Sequence, residues 1–189
     1  MKPICFGTIA VLCMLGAASA VRYIDNAARY TREELEIMGK KPNFASNLTD
    51  WKIHVTDNIV WKDCGSKAAT IKSVTVDSSD CSTKGCTLHK GKNYTVMVNF
   101  MMTETTNEAN AKAWGILDGV AVPYPLPNPD ACKGNNGITC PLEENKKMTY
   151  KATLPVLKEF PSVKVIVKWN LSDSKSNVIW CFETPISVV

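Results

Sequence analysis

Residues 94–102 read YTVMVNFMM, and residues 162–171 read SVKVIVKWNL. In the first run Tyr94, Val96, Val98, Phe100 and Met102 fall on one parity, with Asn93, Thr95, Met97 and Asn99 on the other. In the second, Val163, Val165, Val167, Trp169 and Leu171 alternate with Lys164, Ile166, Lys168 and Asn170. Successive side chains of a strand point to opposite faces, so a period of two with one apolar face predicts a half-buried strand. VIWCFETPISVV (178–189) sets Val178, Trp180, Phe182, Thr184, Ile186 and Val188 against Ile179, Cys181 and Glu183. IKSVTV (71–76) and KMTYKATL (147–154) behave in the same way. From Ile59 onward such runs are separated by turn residues, with no helical period between them. The expectation is an all-β domain over 59–189: a sandwich of about seven antiparallel strands.

One segment departs from simple alternation. GVAVPYPLPNPDAC (119–132) carries prolines at 123, 125, 127 and 129, interleaved with Val122, Tyr124 and Leu126. Proline has no amide proton, and alternate residues of an extended chain point their N–H groups to the same edge. One edge of this ribbon therefore has no donors. That suits a sheet margin or a loop over a cavity and fits poorly in a central strand.

The chain opens MKPICFGTIAVLCMLGAASA, a lysine, an apolar stretch and a small-residue cleavage site at Ala18-Ser19-Ala20. Residues 1–20 are expected to be a secretory signal peptide. Cys5 and Cys13 leave with it, and Cys64, Cys81, Cys86, Cys132, Cys140 and Cys181 remain. An even set in an exported chain predicts disulfides. Cys81/Cys86 and Cys132/Cys140 each frame a polar loop, which favours local pairing and leaves Cys64 with Cys181. Six cysteines nevertheless allow fifteen connectivities, and spacing does not choose among them. Sequons at Asn47, Asn93 and Asn170 agree with export, and the last two fall on the polar parity of their strands.

The formal net charge is +4, which falls to about +3 without Lys2. This mild charge permits contact with anionic membranes. The basic residues are scattered, so no nucleic-acid partner is expected. Residues 21–58 read as an N-terminal extension. Thr31 three residues before Glu34 and Gly39 downstream frame one short helix at about 31–38.

No nucleophile elbow, zinc-binding HExxH or phosphate loop occurs, and the acidic residues are dispersed. His54 and His89 lack metal-ligand spacing, and there is no CxxC pair. A non-enzymatic protein without metal or cofactor is expected. Many methionines and aromatics fall in the apolar parities. They fit either a filled core or two splayed sheets holding an apolar ligand, and periodicity leaves both open.

WKDCGS (61–66), CSTKGCTLHKGKNYTV (81–96), GVAVPYPLPNPDACK (119–133), TCPL (139–142), LPVLKEFPSVKVIVKWNL (154–171) and VIWCFETPISV (178–188) together resemble the Niemann-Pick type C protein 2 family. These are the secreted cholesterol-binding members of the ML (lipid-recognition) superfamily. The resemblance spans about 59–189. It implies an immunoglobulin-like β-sandwich with an apolar lipid tunnel between the sheets, and disulfides Cys64–Cys181, Cys81–Cys86 and Cys132–Cys140.

It also implies a sterol or related lipid as ligand, with Tyr124, Phe160 and Pro161 at the mouth and Val122 and Val156 in the wall. Val76, Phe100 and Trp169 would be deeper lining, and Lys90 would lie near a membrane-contact surface. The implied protein is a monomer, secreted or in the lysosomal lumen, that moves sterol between membranes or to a sterol-accepting membrane protein of the Niemann-Pick type C kind. Other relatives imply an alternative, a lipid-recognition module for innate immunity or chemical signalling. The family commonly has phenylalanine where Tyr124 stands and tyrosine where Phe160 stands. The pair is exchanged here, moving the hydroxyl across the mouth. The loop after Cys132 is also two residues longer than the common form.

Overall fold

The computed structural model describes residues 53–56 and 59–189. The expected signal peptide, the expected helix at 31–38 and the sequon at Asn47 lie outside the described residues. Among the described residues eleven strands form two facing sheets: β1 (Ile53–Thr56), β2 (Ile59–Asp63), β3 (Ala69–Val76), β4 (Cys81–Ser82), β5 (Gly85–Leu88), β6 (Lys92–Met102), β7 (Asn110–Leu117), β8 (Val120–Tyr124), β9 (Lys147–Val156), β10 (Val163–Ser172) and β11 (Val178–Val188). Sheet A runs β1-β2-β11-β10-β7-β8, with β5 joined to β11 and β4 to β5. Sheet B runs β3-β6-β9.

The all-β sandwich is as expected, but two details of the strand count differ. Eight strands stand against the seven or so expected, and the short strands β1, β4 and β5 bring the number among the described residues to eleven. The pairing of β5 with β11 is parallel, at Ile186/Cys86 and Val188/Leu88. Two to four residues carry too little alternation to register as a period. β1 falls within the stretch assigned to the extension. It pairs with β2 from Ile53/Lys62 to Thr56/Ile59, and His54 stacks on Trp61 at 4.3 Å.

Alternation sets the faces correctly for most of the sheet. Val98, Phe100 and Met102 of β6, Tyr150 of β9, Trp169 and Leu171 of β10, and Trp180 and Phe182 of β11 are buried in one core. Ile166 is an exception. Its parity puts it on the outer face of sheet A, yet it is buried, flanked by Ile116 and Pro185 of the neighbouring strands. Trp114, on the same outer face opposite Lys168, is buried as well. A strand in mid-sheet gains cover from its neighbours' side chains, which its own sequence does not report.

The β7–β8 hairpin turns on Asp118 and Gly119, both with positive φ (49° and 81°), as a two-residue loop compatible with strand twist requires. The three disulfides are Cys64–Cys181, Cys81–Cys86 and Cys132–Cys140. The first ties the end of β2 to β11 across 117 residues. In a chain-entropy account a loop of that size stabilises by about 5 kcal/mol.

Candidate functional site

The site is the space between the sheets, and its two ends differ. At one end it is filled. Tyr150 lies edge-on to Trp169 (6.1 Å) and Trp180 (5.5 Å). Trp169 stacks on Phe182, and Phe100 packs against Trp180. Offset and edge-to-face rings of this kind pack densely.

Toward the other end the same faces lose their cover. Along β10 the inward residues pass from Leu171 and Trp169, 0% and 1% exposed, to half-buried Val167, Val165 and Val163. Along β6, Val98 is fully buried and Val96 is half-buried, while Tyr94 beyond it is buried again. Beside Val96 lie half-buried Val76 of β3 and Ala152 of β9. Leu154, Val122, Tyr124 and Leu126 are half-buried too. In a closed sandwich mid-strand residues of this parity are as buried as Val98 and Trp169 are. Apolar side chains that face inward and still meet water mark a gap between the sheets.

β7 widens that gap. Its inward parity is Ala111, Ala113 and Gly115. Gly115 stands between Val122 and Val167, and a Cβ built on it would meet no atom within 4 Å. The strand has given up side chains where the cleft needs room.

The mouth lies between the edge strands β8 and β9. Among the described residues β8 pairs only with β7, so the donor missing at Pro123 costs no ladder bond. β9 is the edge of sheet B and carries Pro155. The Val156 carbonyl accepts from Gly91 N–H (2.6 Å) on the β6 side, so the Pro155 carbonyl before it points to the open edge. The Tyr124 hydroxyl reaches across from sheet A and donates to that carbonyl at 3.0 Å. Its ring meets Phe160, from the loop after β9, edge-on at 6.4 Å. Burial raises the Tyr124 pKa above that of an ordinary phenol, so the hydroxyl keeps its proton at neutral pH.

The structure brings together most of the residues named from sequence. Tyr124 meets Phe160 edge-on, Val122 lies two residues before Tyr124 on the same parity of β8, and Pro161 is exposed. Val156 is buried beneath that rim. Phe100 and Trp169 belong to the filled end and form the floor. Val76 sits beside Val96 in the half-buried part, shallower than those two. Lys90 donates to Ser162 Oγ at 2.8 Å, joining the loop before β6 to the loop after β9. Sequence reasoning missed Gly115, Ala152, Val165, Val167 and Pro155. Alternation shows the parity of the valines, but whether an inward residue lines a gap or fills a core depends on the opposite sheet. Asn93 is exposed, and Asn170 is half-buried on the outer face of β10 between Lys112 and Cys181.

The rim has a distinct surface. Leu117 and Val120 at the β7–β8 tip, Leu157 after β9 and Val189 at the C-terminus are four of the five large apolar side chains exposed among the described residues. The chain order places them at the end where β9 passes into β10. Lys158 lies over Gly91, with Lys90 beside it, and Lys164 is exposed at the start of β10.

Residues 58–188 match the profile of the ML domain family. The chain belongs to that family. A mouse relative named NPC intracellular cholesterol transporter 2 is 44% identical over 128 residues, covering 68% of this chain and 83% of that one. The zebrafish protein of the same name is 41% identical over 133 residues, or 70% and 87% of the two chains. The ecdysteroid-regulated 16 kDa protein of Manduca sexta is 37% identical over 128 residues, or 68% and 87%. Among solved structures, a Niemann-Pick type C2 protein from the Japanese carpenter ant superposes with a TM-score of 0.65 at 30% identity, covering 69% of this chain and 99% of that one. These relatives place this ML domain in the Niemann-Pick type C2 branch. The six cysteines paired above and the proline ribbon at β8 all fall within the matched residues.

Proposed function

We propose that this protein is a secreted lipid carrier that takes a sterol or a similarly shaped lipid into the cleft between β8 and β9 and passes it from one membrane to another. The observation that carries this reading is the row of inward-facing, half-buried apolar residues opening beside Gly115, next to a packed aromatic floor. Relatives named as cholesterol transporters, at 44% and 41% identity, support a sterol as the ligand. Binding is burial of apolar surface, with no covalent step. For a ligand of about 28 heavy atoms at about 0.3 kcal/mol each, the dissociation constant is on the order of micromolar.

Transfer follows from the rim. Leu117, Val120, Leu157 and Val189 can enter the headgroup region while Lys90, Lys158 and Lys164 meet anionic lipid, which sets the mouth against the bilayer. In this reading the protein acts as a monomer in the extracellular space or the lysosomal lumen. It hands its ligand either to a bilayer or to a sterol-accepting membrane protein.

Native mass spectrometry of the secreted protein, followed by lipid extraction and displacement of a fluorescent sterol, tests the proposal. A one-to-one adduct displaced by cholesterol supports it. A protein that carries no lipid and takes up no sterol overturns it.

A further inference from the structure

We propose that the Tyr124 hydroxyl makes the mouth selective for ligands whose polar end carries an O–H donor, so that a lipid alcohol binds in preference to the ketone of the same skeleton. This rests on reading the cleft as a lipid site.

A phenol has one hydrogen to donate and lone pairs that accept. In this structure the hydrogen is committed. Pro155 turns its carbonyl to the open edge of β9, where no further strand among the described residues supplies a donor, and Tyr124 fills that role at 3.0 Å. The proline itself has no N–H to offer there. With the hydrogen engaged, the phenol oxygen faces a ligand only as an acceptor.

The neighbouring side chains add nothing to that character. Val122, Leu126, Leu154, Phe160, Val165 and Val167 have no polar atom. Outside them, the Lys90 ammonium directs one of its three hydrogens to Ser162, and no bond from it to Tyr124 is present. A ligand hydroxyl can donate to Tyr124 Oη while the Tyr124–Pro155 bond stays intact. A ketone brings lone pairs against lone pairs. To bond it, Tyr124 must release Pro155 and leave that carbonyl without a partner, and an unmet polar group in a half-buried mouth is penalised. The half-buried phenol remains neutral, which preserves this asymmetry across the physiological range.

The experiment compares a 3-hydroxy sterol with the 3-ketone of the same ring system as competitors of a fluorescent sterol. It uses the full secreted protein and its Tyr124→Phe variant. Wild type is expected to prefer the alcohol by about tenfold, the size of one net hydrogen bond. Tyr124→Phe keeps the ring against Phe160 and removes the oxygen, so the ratio should fall to near one, chiefly through loss of alcohol affinity. The double variant Tyr124→Phe/Phe160→Tyr, which returns the hydroxyl to the other side of the mouth, should not restore it. Equal binding of the two sterols by wild type overturns the inference and leaves the carrier reading standing. So does an unchanged ratio in Tyr124→Phe. If wild type binds neither sterol, the carrier reading fails first, and this inference fails with it. Should Tyr124→Phe not fold, the wild-type ratio alone decides.

Discussion

Gly115→Val separates a ligand cleft from an ordinary core by sign. Gly115 faces inward on β7, its φ lies outside the left-handed region, and a Cβ there meets nothing within 4 Å. A β-branched residue fits a strand better than glycine does, by up to about 1 kcal/mol. The added methyls also lie against Val122 and Val167, so part of their surface leaves water at about 25 cal/mol per Å². Folding stability should therefore rise by about 1–2 kcal/mol, or several degrees in Tm for a domain of this size. The same three carbons occupy room the lipid would use. If three ligand methylenes lose their place at about 0.8 kcal/mol each, binding weakens by about 2.4 kcal/mol, close to fiftyfold. Thermal unfolding of the lipid-free protein and displacement of a fluorescent sterol measure the two quantities. Greater stability with weaker binding is the expected pair. In a filled sandwich overpacking would cost about 1–3 kcal/mol instead. A destabilised variant that still binds at wild-type strength would refute the cleft as drawn.

The other predictions concern the frame, the floor and the rim. Replacing Cys64 and Cys181 together by alanine should cost about 5 kcal/mol. The Cys81/Cys86 pair, which closes a far shorter loop, should cost about 2 kcal/mol, and urea unfolding would show whether the order holds. Burial pushes the Tyr150 phenol far above its ordinary value near 10, so the fold favours its neutral form. Its stability is then fully present below about pH 10. It declines by about 1.4 kcal/mol per pH unit above that, as the unfolded chain ionises and the folded chain does not. Tyr150→Phe should flatten this alkaline limb in pH-dependent denaturation, and an unchanged slope would place the ionising group elsewhere. Lys90→Ala with Lys158→Ala should slow sterol transfer to anionic vesicles severalfold at low salt while leaving affinity for free sterol within about twofold. Equal transfer rates would detach the rim from membrane contact.

The period of two in YTVMVNFMM and SVKVIVKWNL determined which residues turn inward, because side-chain alternation is a local property of an extended chain. The alternate prolines of 123–129 determined that their segment would lie at a margin, because a missing N–H is covalent. The quoted motifs carried the family, and they singled out Tyr124 and Phe160, whose rings meet in the structure.

Tertiary structure decided the rest. Val167 and Trp169 have the same parity and adjacent places on β10, yet one borders the gap and the other is floor, because burial depends on what the facing sheet presents. Ile166 and Trp114 are covered on an outer face that alternation assigns to solvent. β5 joins β11 in parallel through contacts far apart in the chain. The bond from Tyr124 to Pro155 joins residues 31 positions apart on different sheets, and it exists only once both edges have been brought to the mouth. Local geometry is written in neighbouring residues, and the width of a cleft is set by how two finished surfaces meet.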